Sequence, residues 1–229
     1  KDLLDREIDI IRKMGVKIKT RVEFGKDVTL EGLKKDGYEA FFIGVGAQND
    51  FTINMVGQDG EGSYNSIQFL RNLTLGRLPK IGKKCAVMGG GNTAMDVCRT
   101  LVRMGAEEVH IVYRRNKEAM PADPVEIREA EEEGVVFDFL RNPSEIITDD
   151  NNKVTGLKIT KMELGAPDDS GRRRPIAIEN SEYIESFDTV VTAIGQNVDM
   201  SLYEQFNDVE HDRKGRVEVC TKRRCTNVD

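Results

Sequence analysis

Gly89-Gly90-Gly91-Asn92-Thr93-Ala94 fits the pattern G-x-G-x-x-A, and each fixed position has a physical task. Gly89 permits a tight turn, Gly91 lets backbone approach a pyrophosphate, and Ala94 lets a helix pack closely on a sheet. A helix starting near Asn92 offers unpaired N–H groups and the positive end of its dipole to phosphate. Gly90, Asn92 and Thr93 complete the same turn. Glycine turns also serve packing alone, so the pattern carries weight only between a strand and a helix.

The end of the following strand decides which nucleotide fits. A site for NAD places Asp or Glu there, to hold the ribose 2′-OH and repel a 2′-phosphate. This chain reads Tyr113-Arg114-Arg115, with Lys117 close behind. Two guanidiniums match the charge and geometry of a 2′-phosphate, which points to NADP(H). The plainer alternative is a solvated basic loop. Tyr113 either stacks on adenine or belongs to the core, and Thr93 is either a ligand contact or a helix-start residue. No acid–base pair, nucleophile or metal set stands out, so no catalytic residue and no metal ligand is assigned. His110, inside a strand, reads as structural.

The elements that must position these residues follow from periodicity. Lys84 to Met88 is a short apolar strand, Asn92 to Met104 an amphipathic helix ended by Gly105, and Glu108 to Tyr113 a second strand. Pro124 to Glu133 predicts another helix and Val135 to Phe139 a third strand. Residues 84–139 therefore read βαβαβ, half of a doubly wound sheet. Three antiparallel strands are expected at 146–148, 154–162 and 175–183, joined by Asp- and Asn-rich turns. Thr189 to Ile194 is a buried strand ending at Gly195. A β-meander in place of a helical crossover matches nucleotide domains of the glutathione-reductase type. Upstream, a helix over 1–14, a strand over 16–22, a short helix over 29–36 and a buried strand over 40–47 are expected. Residues 48–65 read as a loop, and Ser66 as the cap of a helix through Leu73.

Composition excludes several classes. The 229 residues are 38% apolar and 32% charged with a net charge of −6 and interspersed signs, so nucleic acid and anionic membranes are not expected partners. No apolar run approaches the roughly 18–20 residues of a membrane span. Four cysteines do not make a disulfide scaffold. Cys220 and Cys225 lack zinc-type pairing, with only His110 and His211 to help, and reduced thiols of a cytoplasmic protein are the expectation. Arg172-Arg173-Arg174 and the acids Glu129 and Glu131 to Glu133 read as solvated. The chain opens on Lys1 inside an amphipathic pattern and stops at Asp229 without a closing element, as a segment of a longer polypeptide would.

Gly89-Gly90-Gly91-Asn92-Thr93-Ala94-Met95-Asp96, Tyr113-Arg114-Arg115, Met120-Pro121-Ala122, Glu131-Glu132-Glu133-Gly134-Val135 and Ala193-Ile194-Gly195-Gln196 together resemble the NADPH-dependent glutamate synthase small (beta) subunit. The wider group includes modules of dihydropyrimidine dehydrogenase and of NADH-dependent ferredoxin:NADP oxidoreductase. The resemblance covers nearly the whole chain. It implies a flavin oxidoreductase with FAD on an earlier G-x-G-x-x-G, iron–sulfur clusters ahead of it, and a large electron-accepting partner subunit. It also implies an inserted NADPH domain over 63–196, flanked by partial FAD-domain segments at 1–62 and 197–229. Gly195 and Gln196 would lie near the nicotinamide half, with Gly44 and Gly46 at the other crossing; ordinary strand-end turns are the alternative at both. This chain holds no FAD-type G-x-G-x-x-G and no cluster-type cysteines. A non-catalytic NADP(H)-sensing module is the competing reading. A methyltransferase is disfavoured by Arg114 where a ribose-binding acid is expected.

Overall fold

The computed structural model describes all residues except 1, 52, 168–172, 200, 202–208, 211–216 and 221–229. Two compact units are present, Lys1–Gly46 with Val198–Asp229, and Ala47–Asn197. In chain order the elements are α1 (Asp2–Lys13), α2 (Leu30–Lys35), β1 (Asn49–Asp50), β2 (Ser63–Asn65), α3 (Ser66–Thr74), β3 (Lys84–Met88), α4 (Asn92–Arg103) and β4 (Glu108–Tyr113). They continue with α5 (Pro124–Glu132), β5 (Val136–Phe139), β6 (Arg141–Thr148), β7 (Val154–Pro167), β8 (Arg173–Ala177), β9 (Tyr183–Ser186), β10 (Thr189–Thr192) and β11 (Gln196–Asn197).

The first unit holds α1 and α2, the latter capped by Thr29, whose Oγ1 accepts from Gly32 N–H at 3.0 Å. The strands expected at 16–22 and 40–47 do not form. Alternation prepares a residue pattern for one wet and one dry face, but a strand also needs a neighbour for its backbone. Among the described residues no strand of this unit supplies one. Val16, Ile18 and Val22 are exposed, and Phe42 is 97% exposed.

The second unit is built on a parallel sheet of order β2-β10-β3-β4-β5. Both faces are covered, as an all-parallel sheet requires. Cys85, Val87, Val109 and Ile111 face α3, α4 and α5 and join Phe69, Ala94, Met95 and Leu101 in one core. Ala86, Met88, Val112 and Val190 face the other way, onto Ile146, Val154, Leu157, Ile159 and Phe187. Helices, sheet and meander thus form three layers. The βαβαβ reading and its meander crossover are borne out. The meander has four strands rather than three, because Asn180 at φ 55° breaks the segment 175–183 between β8 and β9. The turn after β6 uses Asp149 as its sequence suggests: Oδ1 accepts from Asn151 N–H and Lys153 N–H, both at 2.9 Å.

Three further details differ from the sequence reading. Ser63–Asn65, taken as loop, pairs in parallel with β10 as an edge strand too short to show a period. Ser66 does not cap α3. Asp50 does, accepting from Ser66 Oγ–H (2.8 Å), Ile67 N–H (2.8 Å) and Gln68 N–H (3.2 Å). Glu129 and Glu133 are not merely solvated, because with Glu126 they surround Arg99 at 2.7–2.8 Å and join α5 to α4. By contacts the chain divides at 46/47 and 197/198. Residues 47–62 pack with the later ones: Asn49 and Asp50 pair with Asn197 and Gln196, and Met55 lies on the meander core.

Candidate nucleotide-binding site

The carboxyl ends of β3, β4 and β10 open onto a cleft of about 620 Å³, a size that takes a small-molecule cofactor. Parallel strands point their carboxyl ends the same way, so the loops that follow them converge there. All the cleft's lining residues belong to the second unit.

Its floor is the glycine turn, and the three glycines differ in what they are for. Gly89 has φ +146°, and a Cβ there would sit 2.1 Å from the Ala193 carbonyl oxygen. A Cβ on Gly90 would meet the Tyr113 ring at 2.8 Å. Both glycines are thus required by the fold itself. Gly91 is not: its φ is −95°, and a Cβ would meet only Pro121 Cγ, at 3.9 Å. No described neighbour demands glycine at 91, yet it lines the cleft at the start of a 12-residue helix. Among the described residues no side chain caps α4, so its first amides stay available to an acceptor. This is a cradle that a side chain would fill, and it fits a pyrophosphate.

Thr93 lines the cleft, and its Oγ1 accepts from Gln196 Nε2–H at 2.9 Å. Asn92 and Ala94 do not line it. The Asn92 Oδ1 accepts from Asp123 N–H at 2.8 Å, tying α4 to the start of α5, and Ala94 is fully buried between helix and sheet. Tyr113 is 7% exposed and its hydroxyl donates to Ala119 O at 2.9 Å, so it belongs to the core while also lining the cleft. Arg114 and Arg115 both line the cleft, at the end of β4. Lys117 does not; it is ion-paired with Glu131. Gly195, at φ +136°, and Gln196 line the cleft from the turn after β10. Gly44 and Gly46 belong to the first unit and are not among the lining residues.

The electrostatics are simple. Among the described residues, Arg114 and Arg115 are the only charged ones lining the cleft, and no Asp or Glu is among them. Among the described residues neither arginine is ion-paired. Among the described lining residues an anionic ligand would meet two positive charges and no negative one.

Sequence reasoning missed part of the wall. Phe51, Ile53 and Met55 line the cleft from the segment read as loop, where apolar residues at alternate positions were the available signal. Asn142 and Pro143 arrive from β6, which no local pattern links to the glycine turn.

Other reactive groups lie elsewhere. The Cys85 and Cys98 thiols are pushed up to about 11 and about 12 by burial, which keeps them protonated and inert. His110, Asp138 and Glu185 bring ligand-type atoms together on the meander side of the sheet. Their carboxylates already hold cations: Arg141 lies 2.8 Å from Asp138 and 3.2 Å from Glu185, and Lys84 lies 3.6 Å from Glu185. The His110 Nδ1 sits 2.6 Å from Asp138 Oδ2, and that bond raises the imidazole pKa above its ordinary value against the effect of burial. The arrangement is an ion-pair network joining β4, β5, β6 and β9, consistent with a structural histidine. Cys225, His211 and Arg172 lie outside the described residues.

Residues 4–229 match the pyridine nucleotide-disulphide oxidoreductase family, and the chain belongs to it. Over 222 residues, 96% of its length, it is 41% identical to the NADP(+)-dependent formate dehydrogenase subunit beta of Moorella thermoacetica, of which it spans 31%. It is 37% identical over 228 residues, 95% of its length, to the glutamate synthase [NADPH] small chain of Escherichia coli, of which it spans 48%. The resemblance seen in the sequence is therefore real, and the chain spans half or less of the length of these relatives. The structure of Mycobacterium tuberculosis FprA in complex with NADPH matches with a TM-score of 0.65 at 23% identity, covering 76% of this chain and 53% of that one. That likeness is one of fold, and it bears out the glutathione-reductase type. No helix among the described residues is long and apolar enough to cross a membrane.

Proposed function

We propose that this member of the pyridine nucleotide-disulphide oxidoreductase family binds NADP(H) in the cleft, and that the longer protein exchanges hydride between that nucleotide and FAD. The observation that carries the reading is the charge of the cleft. Among the described residues its only charged lining groups are Arg114 and Arg115, at the strand end where an acid would hold an unphosphorylated ribose. Gly91 and the free amides of α4 take the pyrophosphate, Gly89 and Gly90 shape the turn, and Thr93 contacts phosphate or ribose. The two guanidiniums take the 2′-phosphate, whose doubly charged, multi-acceptor form suits their forked donors. Gly195 and Gln196 border the nicotinamide half. Asn92, Ala94 and Lys117 act by holding elements together.

On this reading residues 47–197 form the NADP(H) unit, while 1–46 and 198–229 belong with the FAD unit. Flavin, when bound, accepts or returns the hydride, and the protein's task is placement and exclusion of side reactions. The FAD-binding turn, iron–sulfur clusters and an electron-accepting partner subunit belong to the longer protein, in the cytoplasm. Glutamate synthesis and ferredoxin reduction are both served by such a module.

Titration of the intact protein with NADPH, NADH and S-adenosylmethionine tests the nucleotide. NADPH should bind at least about tenfold more tightly than NADH, a difference of about 1.4 kcal/mol. Equal affinities would remove the reading, and preferential binding of S-adenosylmethionine would replace it. The intact protein should also be yellow and bleach on addition of NADPH, whereas a colourless protein that still binds NADPH would be a sensor.

A further inference from the structure

The sequence gives Arg114 and Arg115 equal standing, but the structure holds them differently. Arg114 is exposed and makes no side-chain hydrogen bond among the described residues. Arg115 is half-buried and is gripped twice by the meander. Its carbonyl accepts from Leu140 N–H at 3.1 Å, and Leu140, in the left-handed region at φ +55°, passes its own carbonyl to Met162 N–H at 2.8 Å. Its side chain donates from Nε to the Arg173 carbonyl at 3.4 Å, across 58 positions of sequence. Those carbonyls sit at the root and the far strand of the meander. With Nε engaged, the terminal nitrogens of Arg115 make no protein bond among the described residues, and the residue lines the cleft beside Asn142 and Pro143.

The Arg173 carbonyl is itself fixed. Its guanidinium folds back onto β7, donating from Nε to Gly165 O at 2.8 Å and from Nη2 to Leu164 O at 2.6 Å. Those carbonyls lie where the β7–β8 register slips between Leu164 and Pro167, so the ladder is interrupted and the side-chain fork replaces missing backbone pairing. Gly165 is packed there, since a Cβ on it would meet Ile176 Cδ1 at 2.7 Å.

We propose that Arg173 is a positioning residue for nucleotide discrimination: by pinning the β7–β8 edge it sets the Arg173 carbonyl that orients Arg115 toward a 2′-phosphate. The proposal rests on the NADP(H) reading of the cleft. It assigns the meander a second task, beyond the crossover between β5 and β10. A preorganised guanidinium loses less side-chain freedom on binding than a free one, and that difference favours only the nucleotide carrying the extra phosphate.

The test is a double-mutant cycle on the intact protein, with NADPH and NADH titrated against each variant. Arg173→Ala should weaken NADPH by about 3- to 10-fold and leave NADH unchanged. Arg173→Lys, which keeps the charge but cannot fork onto two carbonyls, should fall between. In an Arg115→Ala background, Arg173→Ala should add no further loss, because its effect runs through Arg115. Additive losses would overturn the proposal by showing that Arg173 meets the nucleotide itself. Equal losses for NADPH and NADH would overturn it as a general loosening of the fold, and an unchanged selectivity for both Arg173 variants would overturn it outright. An NADPH-selective loss in Arg115→Ala beside silent Arg173 variants sinks this inference alone. An Arg115→Ala variant with undiminished NADPH selectivity sinks the underlying reading with it.

Discussion

The Gln196 side-chain amide donates to the Thr93 hydroxyl at 2.9 Å, joining residues 103 positions apart. One follows β10 and the other opens α4, so the bond ties together the two turns that flank the cleft. Thr93 thereby spends an acceptor lone pair on the protein and keeps its hydroxyl proton for a ligand oxygen.

Gln196→Ala should therefore weaken NADPH and NADH alike, by about 2- to 10-fold, the worth of one neutral hydrogen bond of about 0.5–1.5 kcal/mol. Equilibrium titration of both nucleotides checks this. A loss confined to NADPH would place Gln196 at the 2′-phosphate instead.

The glycines separate stability from binding. Gly91→Ala, with its Cβ in ordinary contact and φ at −95°, should leave the melting temperature unchanged yet weaken both nucleotides about tenfold or more. Gly90→Ala should cost about 1–3 kcal/mol of stability, because the Tyr113 ring already occupies the space. Thermal melts alongside titrations distinguish the two. A destabilised Gly91→Ala variant that still binds would reverse the roles assigned here.

Stability should carry the mark of His110 and Asp138. The bond to Asp138 raises the His110 pKa, so its contribution is complete below the ordinary histidine value of about 6.5 and is lost as pH rises through the folded value. For Asp138, burial pushes the carboxyl up, but the His110 bond and the Arg141, His110 and Lys84 charges outweigh it and the pKa is lowered. That contribution is present above about 3.9 and is lost as pH falls through the folded value. The neighbouring Glu108 and Glu185 also face this cluster and keep it near charge balance with the two cations. The melting-temperature advantage of the natural protein over His110→Gln should be largest between about pH 4 and 6.5 and shrink toward pH 9. A pH-independent difference would show that the pair does not titrate on unfolding.

Asp50→Ala should cost about 0.5–2 kcal/mol, since three donors at the start of α3 lose their acceptor, and Asp50→Asn should recover part of it. Chemical denaturation measures both. An Asp50→Ala protein as stable as the natural one would mean that water replaces the cap at no cost.

The elements around the motif were legible because β3, α4 and β4 each carry a strong period and follow one another closely. Arg114 and Arg115 could be read from their distance to the glycine turn alone. The segment at 16–22 carries the alternation of a strand and 40–47 the apolar run of a buried one, but neither has a partner strand among the described residues, and sequence patterns do not report partners. Asp50 escaped as a cap because it reaches its helix from 16 residues away, outside the local window in which capping residues are sought. Asn142, Pro143 and the hold of Arg173 on Arg115 are long-range products of the meander's registers, which no neighbouring residues announce. Lys117, close to the arginines in sequence, is drawn away by Glu131, a choice made by the packing of α5.

Where a phosphorylated adenosine lies on the protein is tested directly by a crystal of the intact protein soaked with NADPH. Pyrophosphate density is expected over Gly91 and the first amides of α4, with the 2′-phosphate within hydrogen-bonding reach of Arg114 and Arg115. Density for the nucleotide elsewhere, or both guanidiniums turned away from its 2′-phosphate, would contradict it.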